Sequence, residues 1–186
     1  MRAARLARSP GQLTEAGRQL VRVVLAMPQV RELVAGGGGC VAAYVSVGGE
    51  PPTQALLGAL HEVGLTVLLP VLLPDLDLDW AVYDPKAGLV PTAAPGRSGL
   101  REPPGGCLGV AAVAGAGLVL VPALAVSTRG DRLGQGGGSY DRVLVRVAVA
   151  STAAVVFDEE VLEAVPAQPH DRRVAMAVTP SGVVRF

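Results

Sequence analysis

Short valine-rich apolar runs without polar alternation constrain this 186-residue chain most strongly. They are Cys40 to Val45, Leu65 to Val71, Gly117 to Pro122, Ala153 to Phe157 and Val174 to Thr179. A strand with one wet face alternates polar and apolar residues, so uninterrupted runs of this length predict strands covered on both faces. The segments Gln12 to Met27 and Thr53 to Val63 carry apolar residues at helical spacing, with Thr14 and Thr53 as candidate N-caps. Strands alternating with helices predict an α/β fold with a mainly parallel sheet flanked by helices. The length suits one domain, residues 1–186, whose core needs neither disulfide nor structural metal.

The formal net charge is zero, which removes any global attraction to nucleic acid or an anionic membrane. Anion binding must then be local. The basic start lacks the apolar segment of a secretory signal, and no run of about 18 uncharged apolar residues occurs. The expected compartment is therefore the cytoplasm. Cys40 and Cys107 stand apart from any CxxC or Cys/His cluster and read as buried thiols. Lys86 is the only lysine, so a phosphate site here must rely on arginine and backbone donors.

Ligands of parallel sheets bind beyond the carboxyl ends of the strands. Three stretches qualify: "SVGGEPP" after the first run, the glycine loop after "LVLVP", and "EAVPAQPHD" after "AAVVF". In "RLGQGGGSYDR" the glycines Gly134, Gly136, Gly137 and Gly138 let backbone N–H groups approach a ligand. The loop leads into a helical pattern with Ser139 near its N-cap, so phosphate oxygens would meet free N–H groups and the positive end of a helix dipole. Arg132 adds a charged donor. The GK[ST] ending of a Walker loop is missing, and a glycine-rich loop without a ligand is the competing reading.

Asp141 reads either as a dipole partner or as a carboxylate holding Mg2+ beside phosphate. Asp171 is a candidate second oxygen ligand, and neighbouring His170 reads as a loop residue. Glu50 is either a helix-end partner or an acceptor for a polar heterocycle. Trp80 and Tyr83 read equally as a stacking surface or as core. Pro85 to Gly106 is expected to carry little regular structure.

Taken in order, "YVSVGGEPPTQALL", "VLLPV", "GLREP", "LVLVPALAVSTRGDRLGQGGGSYDR" and "PAQPHDRRV" resemble the 5-formyltetrahydrofolate cyclo-ligase (methenyltetrahydrofolate synthetase) family. The resemblance covers most of the chain from Tyr44 onward. It implies a fold of the NagB, ribose-phosphate isomerase and CoA transferase type. The implied activity is ATP- and Mg2+-dependent closure of 5-formyltetrahydrofolate, with or without a polyglutamate tail, to 5,10-methenyltetrahydrofolate with release of ADP and phosphate. By resemblance, Arg132, Leu133, Gly134, Gln135, Gly136, Gly137, Gly138, Ser139 and Tyr140 would cradle ATP. Arg132 and Tyr140 would face the reacting group, and Asp141 and Asp171 match the Mg2+ positions. Val45, Glu50 and Tyr140 would contact folate, in a monomer or homodimer.

Departures from the family pattern also stand out. The Lys-x-x-x-Arg helix start is missing ahead of Ser9-Pro10, where Arg2 and Arg5 are the nearest basic residues. Ser139 replaces the first tyrosine of "YYD", and Ala175 stands where an acid is common. These motivate a second reading, a catalytically weak or inactive paralogue that binds folate or nucleotide. A sugar-phosphate or CoA enzyme on the same fold is a third.

Overall fold

The computed structural model describes residues 1–94, 99–168 and 171–186. Helices α1 (Arg2–Leu6), α2 (Pro10–Ala26) and α3 (Pro28–Ala35) lead into strand β1 (Cys40–Ala42) and helix α4 (Gln54–Glu62). Next come β2 (Thr66–Leu72), β3 (Leu78–Val82), β4 (Val90–Pro91), β5 (Arg101–Glu102), β6 (Leu118–Pro122), β7 (Ala125–Ser127) and β8 (Arg132–Leu133). Helix α5 (Ser139–Arg146) precedes β9 (Thr152–Val155), β10 (Val161–Leu162), β11 (Met176–Thr179) and β12 (Gly182–Arg185).

The main sheet has the order β12-β11-β9-β6-β1-β2-β3. Strands β11, β9, β6, β1 and β2 run parallel, and β12 and β3 close the edges antiparallel. The mainly parallel α/β architecture expected from the apolar runs is therefore present. Burial shows why those runs lack polar alternation. Val41, Leu118, Leu120, Ala153 and Val155 join one core with Leu20, Val24, Leu56 and Leu60 of α2 and α4. Their neighbours Ala42, Val119, Val121 and Ala154 join a second core with Val143 and Leu144 of α5. Each side chain faces a helix layer, and each fully buried Leu or Val contributes about 1.5–3 kcal/mol of transfer energy.

Several local expectations need correction. Helix α2 starts earlier than the Thr14 reading: Ser9 is its N-cap, forming a capping box with Gln12 around Pro10, while Thr14 Oγ1 donates to Pro10 O at 2.9 Å. Pro28 forces Met27 out of the helical region and divides α2 from α3. Thr53 occupies the α4 N-cap position without capping the helix; its Oγ1 donates to Tyr44 O at 2.7 Å and accepts Ser46 N–H at 2.9 Å. Ser139 does lie beside the α5 N-cap, as expected: the cap itself is Gly138, in the left-handed conformation with φ 67° that favours glycine.

Trp80 is fully buried in the second core, and Tyr83 packs against the first core with its ring edge-on to His61. Neither lines the cavity described below, because Trp80 is taken up by the second core and Tyr83, just past β3, by the first. The Pro85 to Gly106 excursion contains the β4–β5 ladder, tied to the sheet where Glu102 Oε1 accepts Leu72 N–H at 2.9 Å and Thr92 Oγ1–H at 2.7 Å. The thiols are not both buried: Cys107 is exposed and Cys40 half-buried. No helix among the described residues is long and apolar enough to cross a membrane.

Candidate active site

The chain leaves β1 toward β2 on one side of the sheet, whereas β6 lies on the other. Loops after β1 and β6 therefore diverge and open a crevice at this switch point. A cavity of about 450 Å³ occupies it. Tyr44, Val45, Val47 and Glu50 enter from the β1 loop, Pro122 and Ala123 from the end of β6, and Arg132 and residues 134–141 from the glycine loop and α5. Pro70, Leu72 and Leu78 form a wall, and Leu100, Arg101 and Glu102 of the β4–β5 excursion also line it.

Local structure explains each placement. β1 ends at Ala42, so Tyr44 and Val45 turn out of the ladder into the cavity wall. Thr53 pins this turn at both Tyr44 and Ser46. Beyond it, Glu50 folds back to accept Val47 N–H at 2.8 Å through Oε2 and the Gln135 side-chain amide at 2.9 Å through Oε1. That second bond joins the β1 loop to the glycine loop. Burial pushes the Glu50 carboxyl above its usual range, only partly opposed by the Val47 hydrogen bond, Arg5 and Gln135.

A hairpin absent from the sequence reading sets Arg132. β7 pairs antiparallel with β8, and Asp131 closes the turn by accepting Ser127 Oγ–H at 2.8 Å and Arg173 Nε–H at 2.7 Å. Arg132 is 7% exposed and donates to Asp141 Oδ1 at 2.8 Å and to Pro122 O at 3.3 Å, while its buried Nε has no partner. Gly134 leaves room for the Arg132 guanidinium: a Cβ there would lie 2.7 Å from Arg132 Nη1, so the arginine would have to shift. Half-buried Tyr140 packs against both cores; burial, then the nearby Glu50 charge, raise its phenol far above the ordinary range and keep it protonated.

The residues assigned by sequence are thus largely brought together: Val45, Glu50, Arg132, Gly134, Gln135, Gly136, Gly137, Gly138, Ser139, Tyr140 and Asp141 all line one cavity. Leu133 belongs to β8, whose backbone it pairs with Ala125, and lies outside the lining. Asp171 is also outside that lining; its Oδ2 accepts Gln168 N–H at 2.7 Å, and His170 lies outside the described residues. Among the described residues no group of three or more His, Cys, Asp and Glu is arranged around a metal position. One carboxylate beside the backbone donors of a glycine loop nonetheless fits the chemistry of Mg2+, which takes one or two carboxylates and draws its other ligands from phosphate and water. Tyr44 and the Leu100–Glu102 segment were not singled out from sequence as site residues. The early end of β1 exposes the first, and the excursion's return to β2 delivers the second.

Arg5 is committed elsewhere. Its guanidinium is 4% exposed and donates to Glu160 Oε1 at 2.6 Å, Glu160 Oε2 at 2.7 Å and Ala123 O at 2.7 Å. It buttresses Ala123 in the wall of the cavity and does not itself line it.

Comparisons with known proteins agree on one family. Residues 1–180 match the model of the 5-formyltetrahydrofolate cyclo-ligase family. The chain is 45% identical over 154 residues to a 5-formyltetrahydrofolate cyclo-ligase of Mycolicibacterium smegmatis, covering 79% of this chain and 77% of that one. It is 32% identical over 187 residues to one of Escherichia coli K12, covering 98% of each. The fold is similar to the solution structure of a 5,10-methenyltetrahydrofolate synthetase from Aquifex aeolicus, with a TM-score of 0.80 and 23% identity over 99% of this chain and 88% of that one. A Mycoplasma pneumoniae synthetase structure gives 0.64 and 14%, covering 95% and 92%. With its family model matched over nearly its whole length and a cavity built from the same motifs, the chain belongs to the 5-formyltetrahydrofolate cyclo-ligase family.

Proposed function

We propose that this chain acts, as a single domain, as an ATP-dependent 5-formyltetrahydrofolate cyclo-ligase. The observation that carries the reading is the convergence of Glu50, Arg132, the glycine loop and Asp141 on one cavity. In this reaction the formyl oxygen of the substrate takes the γ-phosphoryl group of ATP, N10 closes the ring on the activated carbon, and phosphate leaves with ADP as the second product. Catalysis then consists of positioning and neutralising charge.

Each residue has a part. Glu50, joined to the glycine loop through Gln135, accepts N–H groups of the folate ring, and Val45 packs beside it. Backbone N–H groups of residues 134–140 and the start of α5 receive phosphate oxygens. Arg132 turns its guanidinium, including the unpartnered Nε, toward the transferring group. Tyr140, held protonated, donates near the same atoms. Asp141 would hold Mg2+, assisted by Asp171, and the ion when bound would neutralise phosphate charge. The fold would be of the NagB, ribose-phosphate isomerase and CoA transferase type, working in the cytoplasm as a monomer or homodimer.

The test is appearance of the methenyl product, read by its near-ultraviolet absorbance, from 5-formyltetrahydrofolate, ATP and Mg2+. Product that requires ATP and intact Asp141 supports the reading; folate binding without turnover favours a non-catalytic relative. That second reading rests on Arg5, which the Glu160 pair removes from the phosphate site.

A further inference from the structure

Tyr44 is only 3% exposed yet lines the cavity, and its buried hydroxyl has no hydrogen-bond partner. An unpaired buried hydroxyl is destabilising, and phenylalanine would fill nearly the same volume without that cost. Among the described residues, the other unpartnered buried atoms are Arg8 Nη1, Gln29 Oε1, Trp80 Nε1 and Arg132 Nε. Of these only Arg132 also belongs to a residue lining the cavity. Two residues that line the cavity thus carry buried, unsatisfied donors of different chemistry, a guanidinium suited to an anion and a phenol suited to a neutral acceptor.

Tyr44 shares the cavity lining with Glu50 and Tyr140, and burial followed by the Glu50 charge raises its phenol far above the ordinary range. It is a donor throughout the working pH range. Each Glu50 oxygen already accepts one protein N–H and keeps capacity for a ligand. A carboxylate acceptor near a phenol donor is complementary to a ring N–H beside a ring carbonyl, the lactam edge of a pyrimidinone.

We propose that Tyr44 is a positioning residue for the folate ring, donating to its ring carbonyl while Glu50 accepts the adjacent N–H. The inference rests on the folate reading above. It makes ring recognition a two-residue device at the turn after β1, separate from the phosphate machinery of Arg132 and Asp141.

Equilibrium binding of 5-formyltetrahydrofolate without ATP, followed by initial rates, tests it on the wild type, Tyr44→Phe and Tyr83→Phe. For Tyr44→Phe, the folate Kd and KM should rise roughly tenfold, the worth of one hydrogen bond of about 1.4 kcal/mol, with kcat and the KM for ATP within about twofold. The unliganded Tm should equal or exceed that of the wild type, because nothing satisfied is lost. Tyr83→Phe, on the ring packed against His61, should leave folate binding unchanged. An unchanged folate Kd in Tyr44→Phe, or a lower unliganded Tm showing that the hydroxyl is already paired, overturns the inference alone. A wild type that binds no folate overturns the functional reading and the inference together.

Discussion

Arg132 and Asp141 form an ion pair across the start of α5, with Nη2 donating to Oδ1 at 2.8 Å. The residues proposed to meet phosphate and Mg2+ are thus each other's partners. The Arg132 side chain is buried at 5% exposure and that of Asp141 half-buried at 28%, so the carboxylate compensates a guanidinium withdrawn from water.

Asp141→Ala should lower turnover by on the order of 100-fold or more. It should also cost about 1–3 kcal/mol of stability, between the values of exposed and buried pairs. Asp141→Asn should recover most of the stability by keeping an acceptor for Arg132, yet not the turnover. Urea midpoints and product formation measured on both variants separate the two roles; normal turnover in either would remove Asp141 from the metal site.

Glu50 carries a carboxyl raised chiefly by burial. The folded state then holds its proton more tightly than the unfolded chain, so stability falls as pH rises from the unfolded carboxylate range through the raised folded value. Glu50→Gln should flatten that fall and raise Tm at neutral pH, while weakening folate binding at least about tenfold through loss of the charged acceptor. A Tm lowered at neutral pH would contradict the assignment.

Gly134→Ala places a Cβ against the Arg132 guanidinium rather than against backbone. A side chain can shift where a backbone cannot, so the expected result is a fall in kcat of roughly 10-fold to 100-fold with Tm within a few degrees. Equal kcat would mean that the orientation of Arg132 is unimportant.

Arg5→Ala leaves Glu160 buried and unpaired, and should destabilise the protein by about 3–5 kcal/mol. At a temperature where the variant is still folded, its KM for ATP should remain near that of the wild type. A large selective rise in that KM would instead restore Arg5 to the phosphate site.

Two ion-paired carboxylates contribute to stability toward acid. Hydrogen bonding from Arg146 lowers Asp77, and Ser127 with Arg173 lowers Asp131. Both carboxylates contribute stability that is fully present above their unfolded values and is lost as pH falls through their depressed folded values. Asp77→Asn should reduce stability at neutral pH and shrink the loss between neutral and acid pH, as read from thermal melts across that range.

The layered core was legible because periodicity and burial are the same fact: Val41 and Ala42 face opposite helix layers, so both had to be apolar. The glycine loop, Glu50 and Asp141 were legible because special backbone geometry and charge next to strand ends are local properties of the chain. Trp80, the β7–β8 hairpin and the capping of α2 were less so. A lone tryptophan fits core and ligand equally until the edge pairing of β3 is known, and Ser9 competes with Thr14 as a cap over a single turn.

What the sequence by itself determined was the set of strands covered on both faces, the family pattern and the chemical types gathered near the strand ends. Tertiary structure alone decided which of those groups meet. Gln135 reaches Glu50 across 85 residues, Arg5 reaches Glu160 across 155, and Tyr44 is left with an unpaired hydroxyl. Periodicity acts over a few residues and is written into the chain, whereas these contacts depend on strand order and on which loops the sheet's switch point opens.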